Sequence, residues 1–194
     1  PRAVDSGHKR NGNLSAAARG FAGTGFDGAS MSQIALACGV SKALLYHYYT
    51  NKGQLLFDVI GAHLEDLVAA VREVDRSTSP EDRLVRLCVV ILEAYRDADA
   101  EHKVQINNLG RLPADKQDVL KRMERDLVAV FAEALEEANP DLAGNQRLLK
   151  PVTMSLFGML NWHYLWFRPA GPVSREDYAA IAARMVVAGS RALD

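Results

Sequence analysis

The sequence is poor in cysteine, and this scarcity argues against several kinds of stabilisation and chemistry. Its two cysteines, Cys38 and Cys88, lie fifty positions apart, and each falls within an apolar pattern of helical period. Two distant single cysteines favour neither a disulfide framework nor a C-x-x-C metal site. We therefore expect two reduced, buried thiols, as is usual in a cytoplasmic protein.

Long hydrophobic runs are also missing. The most apolar segment, residues 152–167, is interrupted by Thr153, Ser155, Asn161 and His163. It is shorter than the roughly 20 apolar residues that a helix needs to span a bilayer. The first ten residues are polar and charged, unlike a signal peptide. These features predict a soluble cytoplasmic protein without a membrane partner.

A large net charge of either sign is absent as well, since the 194 residues carry a formal charge of −1. This balance argues against a uniformly basic nucleic-acid-binding protein, but the charges are unevenly distributed. Residues 1–53 contain six lysines and arginines and two aspartates, so they carry +4 and the remaining 141 residues carry −5. This distribution suits an N-terminal part that meets phosphates and a body that does not.

Strand-like alternation of apolar and polar residues is absent too, and helical periodicity dominates instead. One long amphipathic helix is predicted after Asn51, and Ser79 and Ser174 are predicted N-caps of later helices. An apolar helix is predicted over residues 148–167, ended by the sequence RPAGP. The fold is therefore predicted to be all-α, with about nine helices. We place an N-terminal domain at 1–52 and a second, helical domain at 53–194.

The stretch MSQIALACGVSKALLYHYY predicts a helix-turn-helix motif. Ser30 precedes its first helix as the N-cap, Gly39 supplies the turn, and Ser41 caps the second helix. Leu45 and Tyr49 fall on the inward side of that second helix. In such motifs the second helix enters the DNA major groove with its N-terminal residues towards the base edges.

The exposed ends of these two helices predict a surface for double-stranded DNA. Tyrosine hydroxyls, an imidazole and ammonium groups all donate hydrogen bonds to phosphates, and phosphate contacts fix the register of a protein on DNA. Lys42 suits either a guanine or a phosphate. The alternative for the aromatic residues is simple packing, which we expect for Tyr49. The predicted DNA-binding residues are Ser30, Met31, Ser41, Lys42, Ala43, Leu44, Tyr46, His47, Tyr48 and Lys52.

Over about residues 9–60 the chain resembles the DNA-binding head of the TetR family of transcriptional regulators. The residues that carry the resemblance are GF, a Ser-capped helix, GVSK, LYHYY and a lysine that opens the next helix. Asn13 and Gly20 depart from the apolar residues usual at those positions in the family, and Leu44 replaces a polar or small residue. At Leu44, apolar contact with a thymine methyl remains as an alternative to hydrogen-bonded base recognition.

The resemblance implies that the rest of the chain is a helical regulatory domain. It also implies a homodimer, joined by the last two helices of each subunit in a four-helix bundle. The sequence supports this separately, because residues 152–167 offer more apolar surface than a monomer would cover and small residues permit close helix approach. The predicted dimer-interface residues are Ser155, Gly158, Met159, Trp166, Met185 and Gly189.

The stretch SLFGMLNWHYLWFRPAGPVSREDYAAIAARM is similar to a TetR subgroup that controls fatty-acid, phenylacetate or steroid breakdown and responds to acyl-CoA thioesters. The implied effector is a small hydrophobic molecule, with an acyl-CoA as the specific candidate. Polar residues beside apolar helical stripes are candidates to bind it, because buried polar groups need partners. The alternatives are hydrogen bonding within the core, exposure, and plain packing of the apolar members. The predicted effector-binding residues are Tyr95, Gln105, Asn108, Met123, Phe157, Asn161 and Trp162.

Motifs for catalysis and metal binding are missing. The chain has no G-x-S-x-G and no H-E-x-x-H sequence, and its histidines lack the spacing of metal ligands. We therefore predict a ligand-responsive DNA-binding regulator, a repressor that its effector releases from the operator, with no enzymatic activity, catalytic residue, metal or cofactor. The alternative is an all-helical enzyme or carrier that binds small molecules.

Overall fold

A computed structural model of the protein describes residues 2–193, and the side chains of residues 12–193. Over this range the chain is all-α, which confirms the predicted fold class, with nine α-helices and short 3-10 turns between some of them. The helices are α1 (Arg2–Gly28), α2 (Met31–Ala37), α3 (Lys42–Tyr48), α4 (Lys52–Arg72), α5 (Pro80–Tyr95), α6 (Asp99–Asn108), α7 (Ala114–Ala138), α8 (Gln146–Asn161) and α9 (Arg175–Ser190).

The helices form two compact units. The first contains the residues up to Glu65 together with Ala98–Arg122, and the second contains Asp66–Asp97 and the residues from Met123 onward. The first unit thus includes α1–α3, α6 and the adjoining parts of α4 and α7, whereas the second includes α5, α8 and α9. The boundary between the predicted DNA-binding domain, residues 1–52, and the predicted helical domain, residues 53–194, stays a prediction.

In the first unit, α6 packs along α1. The Ser15 hydroxyl on α1 donates a hydrogen bond of 2.7 Å to a carboxylate oxygen of Glu101 on α6. Further along the chain, the guanidinium of Arg111 lies 3.4 Å from the carboxylate of Asp27, near the end of α1. Helix α6 and the 3-10 turn that follows it, Leu109–Arg111, are therefore each joined to α1 by one polar contact.

A pair of histidines is buried in the same unit. The rings of His63 on α4 and His102 on α6 lie 6.0 Å apart, centroid to centroid, and both side chains are almost fully buried. Burial, together with the neighbouring His102, lowers the pKa of His63 to about 3. His63 is therefore neutral at physiological pH, since burial disfavours the charged imidazolium.

In the second unit, α5 packs against α9 and α8. Its core is apolar, and the rings of Phe131 on α7 and Phe157 on α8 meet edge to face at 4.8 Å. One charged side chain enters this unit: Arg83 on α5 is 2% exposed and forms ion pairs with Glu133 and Glu137 on α7. A buried guanidinium is tolerated only when carboxylates of this kind pair with it.

The prediction that one helix covers residues 148–167 was wrong at its C-terminal end. Helix α8 ends at Asn161, and a 3-10 turn follows at His163–Leu165. The cause is long-range packing: the buried His163 ring stacks on Tyr178 of α9 at 5.2 Å and lies 4.2 Å from the ring of Phe167. Residues 163 and 167 are four positions apart and would be neighbours on a continuous helix as well, so the contact that distinguishes this turn is the stacking of His163 on Tyr178.

None of the helices described between residues 2 and 193 is long and apolar enough to cross a membrane. Across the side chains that the structure describes, no cluster of three or more His, Cys, Asp or Glu residues could hold a metal ion.

Two glycines in the first unit have opposite conformational roles. Gly39, between α2 and α3, has φ of +66°, in the left-handed region that favours glycine. Gly20 lies within α1, where an added Cβ would meet only the side chain of Ile34 on α2, at an ordinary contact distance of 3.5 Å. The turn therefore requires its glycine, whereas α1 does not require Gly20.

We therefore expect the same substitution at these glycines to change stability in opposite directions. Gly39→Ala should lower the free energy of unfolding by about 1 kcal/mol because alanine disfavours positive φ. Gly20→Ala should raise it by about 1 kcal/mol because alanine is the better helix former. Urea unfolding followed by circular dichroism measures both, and each variant serves as the other's control. A destabilised Gly20→Ala variant would contradict the observed spacing between α1 and α2.

Candidate functional site

The candidate nucleic-acid interface is built on two short, capped helices. The Ser30 hydroxyl accepts a hydrogen bond of 3.2 Å from the backbone N–H of Gln33, whose side chain accepts one from the Ser30 N–H, so α2 begins with a capping box. The Ser41 hydroxyl accepts a hydrogen bond of 3.1 Å from the N–H of Leu44 and so caps α3. These contacts stabilise helices of seven residues that would not form alone.

Inward-facing residues fix the orientation of α3. Ile34 and Ala35 of α2 are buried, and Leu45 of α3 is 2% exposed. Tyr49, just after α3, is buried too, as the sequence predicted. Since Leu45 occupies the inward side, the rest of this short helix is left at the surface.

The outward side of α3 is a continuous row of exposed residues. It begins at the cap with Lys42 and the apolar Ala43 and Leu44, and continues through Tyr46, His47 and Tyr48. The Lys42 ammonium lies 5.8 Å from the centre of the Tyr46 ring, and the His47 and Tyr48 rings meet edge to face at 5.3 Å. The hydrogen-bond donors of this surface, which are an ammonium, two phenols and an imidazole, thus lie on the same short helix as two exposed apolar side chains.

Two of the predicted DNA-binding residues are less accessible. Met31 is buried, so at the first turn of α2 it presents its backbone N–H rather than its side chain. Lys52, at the start of α4, is half-buried, and its ammonium donates hydrogen bonds to the carbonyl oxygens of Ala29 (2.9 Å) and Asp27 (3.3 Å). It also lies 4.6 Å from the centre of the Phe26 ring. An ammonium has three N–H donors, so one remains for a phosphate.

The carbonyl contacts of Lys52 were not predicted from the sequence. They join the start of α4 to the last turn of α1 and to Ala29, which follows it. The residues next to Lys52 in the sequence could not have indicated these contacts, because the acceptors lie more than twenty positions earlier. Lys52 therefore also has a structural role in the head.

Some of the predicted effector-binding residues come together in the second unit. The buried Tyr95 hydroxyl donates a hydrogen bond of 3.1 Å to the side-chain oxygen of Asn161, and burial raises the pKa of Tyr95 above its ordinary value. Phe157 is also buried, and Met123 is half-buried. Trp162 is 56% exposed, so in this structure it lies at the surface rather than in the core.

The other predicted effector-binding residues belong to α6, in the first unit. Asn108 is buried and its amide donates a hydrogen bond of 3.2 Å to the carbonyl oxygen of Val104, while Gln105 is half-buried. The buried histidines His63 and His102 are further polar groups here that the predicted set omitted. The burial of His63 could have been predicted from the sequence, because this histidine occupies an apolar position in the helical pattern of α4.

The predicted dimer residues lie on α8, α9 and the turn between them, and most of them are exposed in their own chain. Ser155, Gly189, Trp166 and Met185 are exposed, the last two at 51% and 58%. Gly158 and Met159 are half-covered. Other large apolar side chains on the same elements are also exposed, namely Met154, Leu165 and Ile181. Helices α8 and α9 pack against each other, and exposed apolar side chains on both are the kind of surface that a partner can cover.

Comparison with known proteins relates both parts of the chain to one group of regulators. Residues 14–59 match the family described as bacterial regulatory proteins, tetR family, and residues 77–190 match the tetracyclin repressor-like C-terminal domain. The chain is similar to a TetR-family transcriptional regulator from Bordetella parapertussis, with 33% identity and a TM-score of 0.84. That likeness covers 91% of this chain and 93% of the other.

Two further likenesses cover nearly the whole chain. The transcriptional repressor KstR2 of Mycolicibacterium smegmatis is 24% identical over 184 residues, which are 93% of this chain and 90% of that protein. A crystal structure of AibR in complex with isovaleryl coenzyme A and operator DNA has 26% identity and a TM-score of 0.73, covering 91% of this chain and 97% of the other. From the two matched domains and the likeness to the Bordetella regulator, the chain belongs to the TetR family of bacterial transcriptional regulators.

Proposed function

We propose that the protein is a homodimeric repressor that binds operator DNA through α3 and is released by a small hydrophobic effector, specifically an acyl-CoA. The observation that carries the proposal is the outward side of α3, where Lys42, Tyr46, His47 and Tyr48 are all exposed. These side chains can donate hydrogen bonds to phosphates. Tyrosines whose role was to pack in the core would be buried. Binding, rather than catalysis, is the proposed activity, and the alternative of an enzyme or carrier is not favoured.

Support for an acyl-CoA effector comes from the relatives and from the polar residues of the helical body. AibR, to which the chain is 26% identical, has been crystallised with isovaleryl coenzyme A and operator DNA. In the present chain, the hydrogen-bonded Tyr95 and Asn161 are polar groups in an apolar bundle, beside buried Phe157 on the same helix as Asn161. A ligand with an apolar tail and a polar carbonyl suits such surroundings.

The contacts between α6 and α1 support a route from effector to DNA. Helix α6 carries Gln105 and Asn108, and through Glu101 it is hydrogen-bonded to Ser15 of α1. A ligand that displaced α6 would therefore also act on α1 and on the head to which α1 belongs. The ligand must bind the DNA-competent and incompetent states unequally, since only differential affinity shifts an equilibrium.

For DNA binding, we expect Lys52→Ala to weaken binding to all sequences alike and to lower the slope of log affinity against log salt by about one. The reason is the loss of one phosphate contact, which carries no sequence information. Fluorescence anisotropy with an operator and a random duplex, at several salt concentrations, measures both effects.

Lys121→Ala is the matched control, since it removes an exposed lysine of α7 that lies outside the motif. Thermal unfolding of both variants separates the loss of the Lys52 carbonyl contacts from the loss of the phosphate. A changed base preference with an unchanged salt slope would contradict the phosphate assignment.

For dimerisation, we expect Gly158→Leu to shift the protein towards monomer. A Cβ at Gly158 meets nothing within 4 Å in its own chain, so the subunit itself has room for the side chain. Across a close helix-helix contact the same side chain would push the partners apart. Sedimentation velocity at micromolar concentration measures the effect, and circular dichroism verifies that the helices are retained.

The matched control for that experiment is Gly110→Leu, because a Cβ at Gly110 also meets nothing within 4 Å and lies outside α8 and α9. It should leave the sedimentation coefficient unchanged. A wild-type chain that sediments as a stable monomer would refute the proposed dimer.

For the effector, we expect acyl-CoAs to bind more tightly than their free acids and to weaken operator binding by about 5- to 150-fold, the usual range of allosteric coupling. Tyr95→Phe should weaken acyl-CoA binding and leave affinity for DNA in the absence of ligand unchanged, because it removes one buried hydroxyl. Calorimetry and operator titrations with and without ligand measure these effects.

Tyr178→Phe is the control, since it removes another hydroxyl of the second unit, one that donates to the carbonyl oxygen of Met159. Equal or tighter binding of the free acids would refute the CoA component. Bound ligand without any effect on operator affinity would refute the switch.

A further inference from the structure

The N-terminal end of α3 presents an apolar side chain to solvent. Leu44 is 42% exposed although its neighbour Leu45 is 2% exposed, so the two leucines lie on different faces of the helix, about 100° apart. Ala43, which precedes Leu44, is exposed as well. Leu44 is therefore not part of the core, and its side chain would be stabilised by contact with an apolar group of a partner.

The polar groups around Leu44 have other tasks. The Ser41 hydroxyl caps the helix by accepting a hydrogen bond from the Leu44 N–H, and the Lys42 ammonium lies above the Tyr46 ring. A leucine side chain neither donates nor accepts hydrogen bonds, so it cannot distinguish the nitrogen and oxygen atoms of base edges. The C5-methyl of thymine is the apolar group that a base presents in the major groove.

We propose that Leu44 recognises the C5-methyl group of a thymine in each half-site of the operator, which makes it a specificity-determining residue. This inference rests on the proposed binding of operator DNA through α3, because the N-terminal residues of that helix face the bases in a helix-turn-helix complex. Leu44 thereby prefers thymine at one position of each half-site through an apolar contact alone.

The test removes the methyl group without changing any hydrogen-bonding edge. Duplexes bound by the wild-type protein are first selected from a random pool. Each thymine of the selected half-site is then replaced by uracil, one position at a time and symmetrically in both half-sites. Affinities are measured for the wild type, for Leu44→Ala and for Leu36→Ala, a control at another exposed leucine, which lies on α2 and is 82% exposed.

At one thymine we expect the wild type to lose about fourfold in affinity per half-site on replacement by uracil, and about fifteenfold when both half-sites are changed. Leu44→Ala should bind the thymine duplex more weakly and should no longer respond to uracil at that position. Leu36→Ala should respond as the wild type does. General destabilisation of the head would weaken binding to every duplex alike, so it would not produce this dependence of one methyl group on one side chain.

Two other outcomes overturn the inference, and they differ in what else they refute. If a specific duplex is selected but Leu44→Ala retains the full uracil response at every position, Leu44 does not recognise thymine and the proposed DNA binding stands. If no sequence is enriched by the wild type, specific DNA binding itself is refuted, and the role of Leu44 with it.

Discussion

The burial of Leu45 is the constraint on which the candidate DNA-binding surface depends. Helix α3 has seven residues and is too short to be stable by itself. It is stabilised by the inward Leu45, by the buried Tyr49 that follows it and by the Ser41 cap. Because Leu45 is the one buried side chain within α3, the remaining side chains of this helix are free of the core. A polar residue at position 45 would remove both the anchor and the orientation of every other residue in the helix.

The N-terminal head is attached to the helices around it by a few individual polar contacts. Lys52 at the start of α4 is hydrogen-bonded to carbonyl oxygens just before α2, and α6 is hydrogen-bonded to α1 through Ser15 and Glu101. Each contact is polar and partly open to solvent, so each contributes about 1 kcal/mol rather than a large share of the stability. Contacts of this size suit a regulator, since a coupling of about 1–3 kcal/mol must be able to rearrange them.

The sequence predicted the local features of the fold well because short-range physics determines them. The caps at Ser30, Ser41, Ser79 and Ser174 are all present, since a cap needs only a hydroxyl and an N–H three residues later. The helix-turn-helix motif follows from the same signals and from Gly39, and membership of the TetR family was predicted correctly from the motif.

Features that depend on distant residues were predicted less well. The end of α8 was placed six residues too late because the apolar pattern continues while His163 packs on Tyr178 of another helix. The Tyr95–Asn161 hydrogen bond and the carbonyl partners of Lys52 are pairings across the fold that no periodicity reveals. The sequence indicated that Tyr95 and Asn161 are polar groups in apolar stripes, which is correct, but it could not indicate that they pair with each other.

That pairing bears on how a ligand could enter the helical body. A buried tyrosine and a half-buried asparagine that are hydrogen-bonded to one another cost the apolar bundle little, whereas a lone buried polar group would cost about 1–3 kcal/mol. A ligand amide can replace this hydrogen bond and leave both groups paired, because its carbonyl can accept from the Tyr95 hydroxyl while its N–H donates to the Asn161 oxygen. The bundle is then stable in both the free and the occupied state, which a switch between two populated states requires. The core-packing and effector-binding interpretations of Tyr95 and Asn161 are therefore compatible, since the hydrogen bond that joins them is the one that the proposed ligand would exchange.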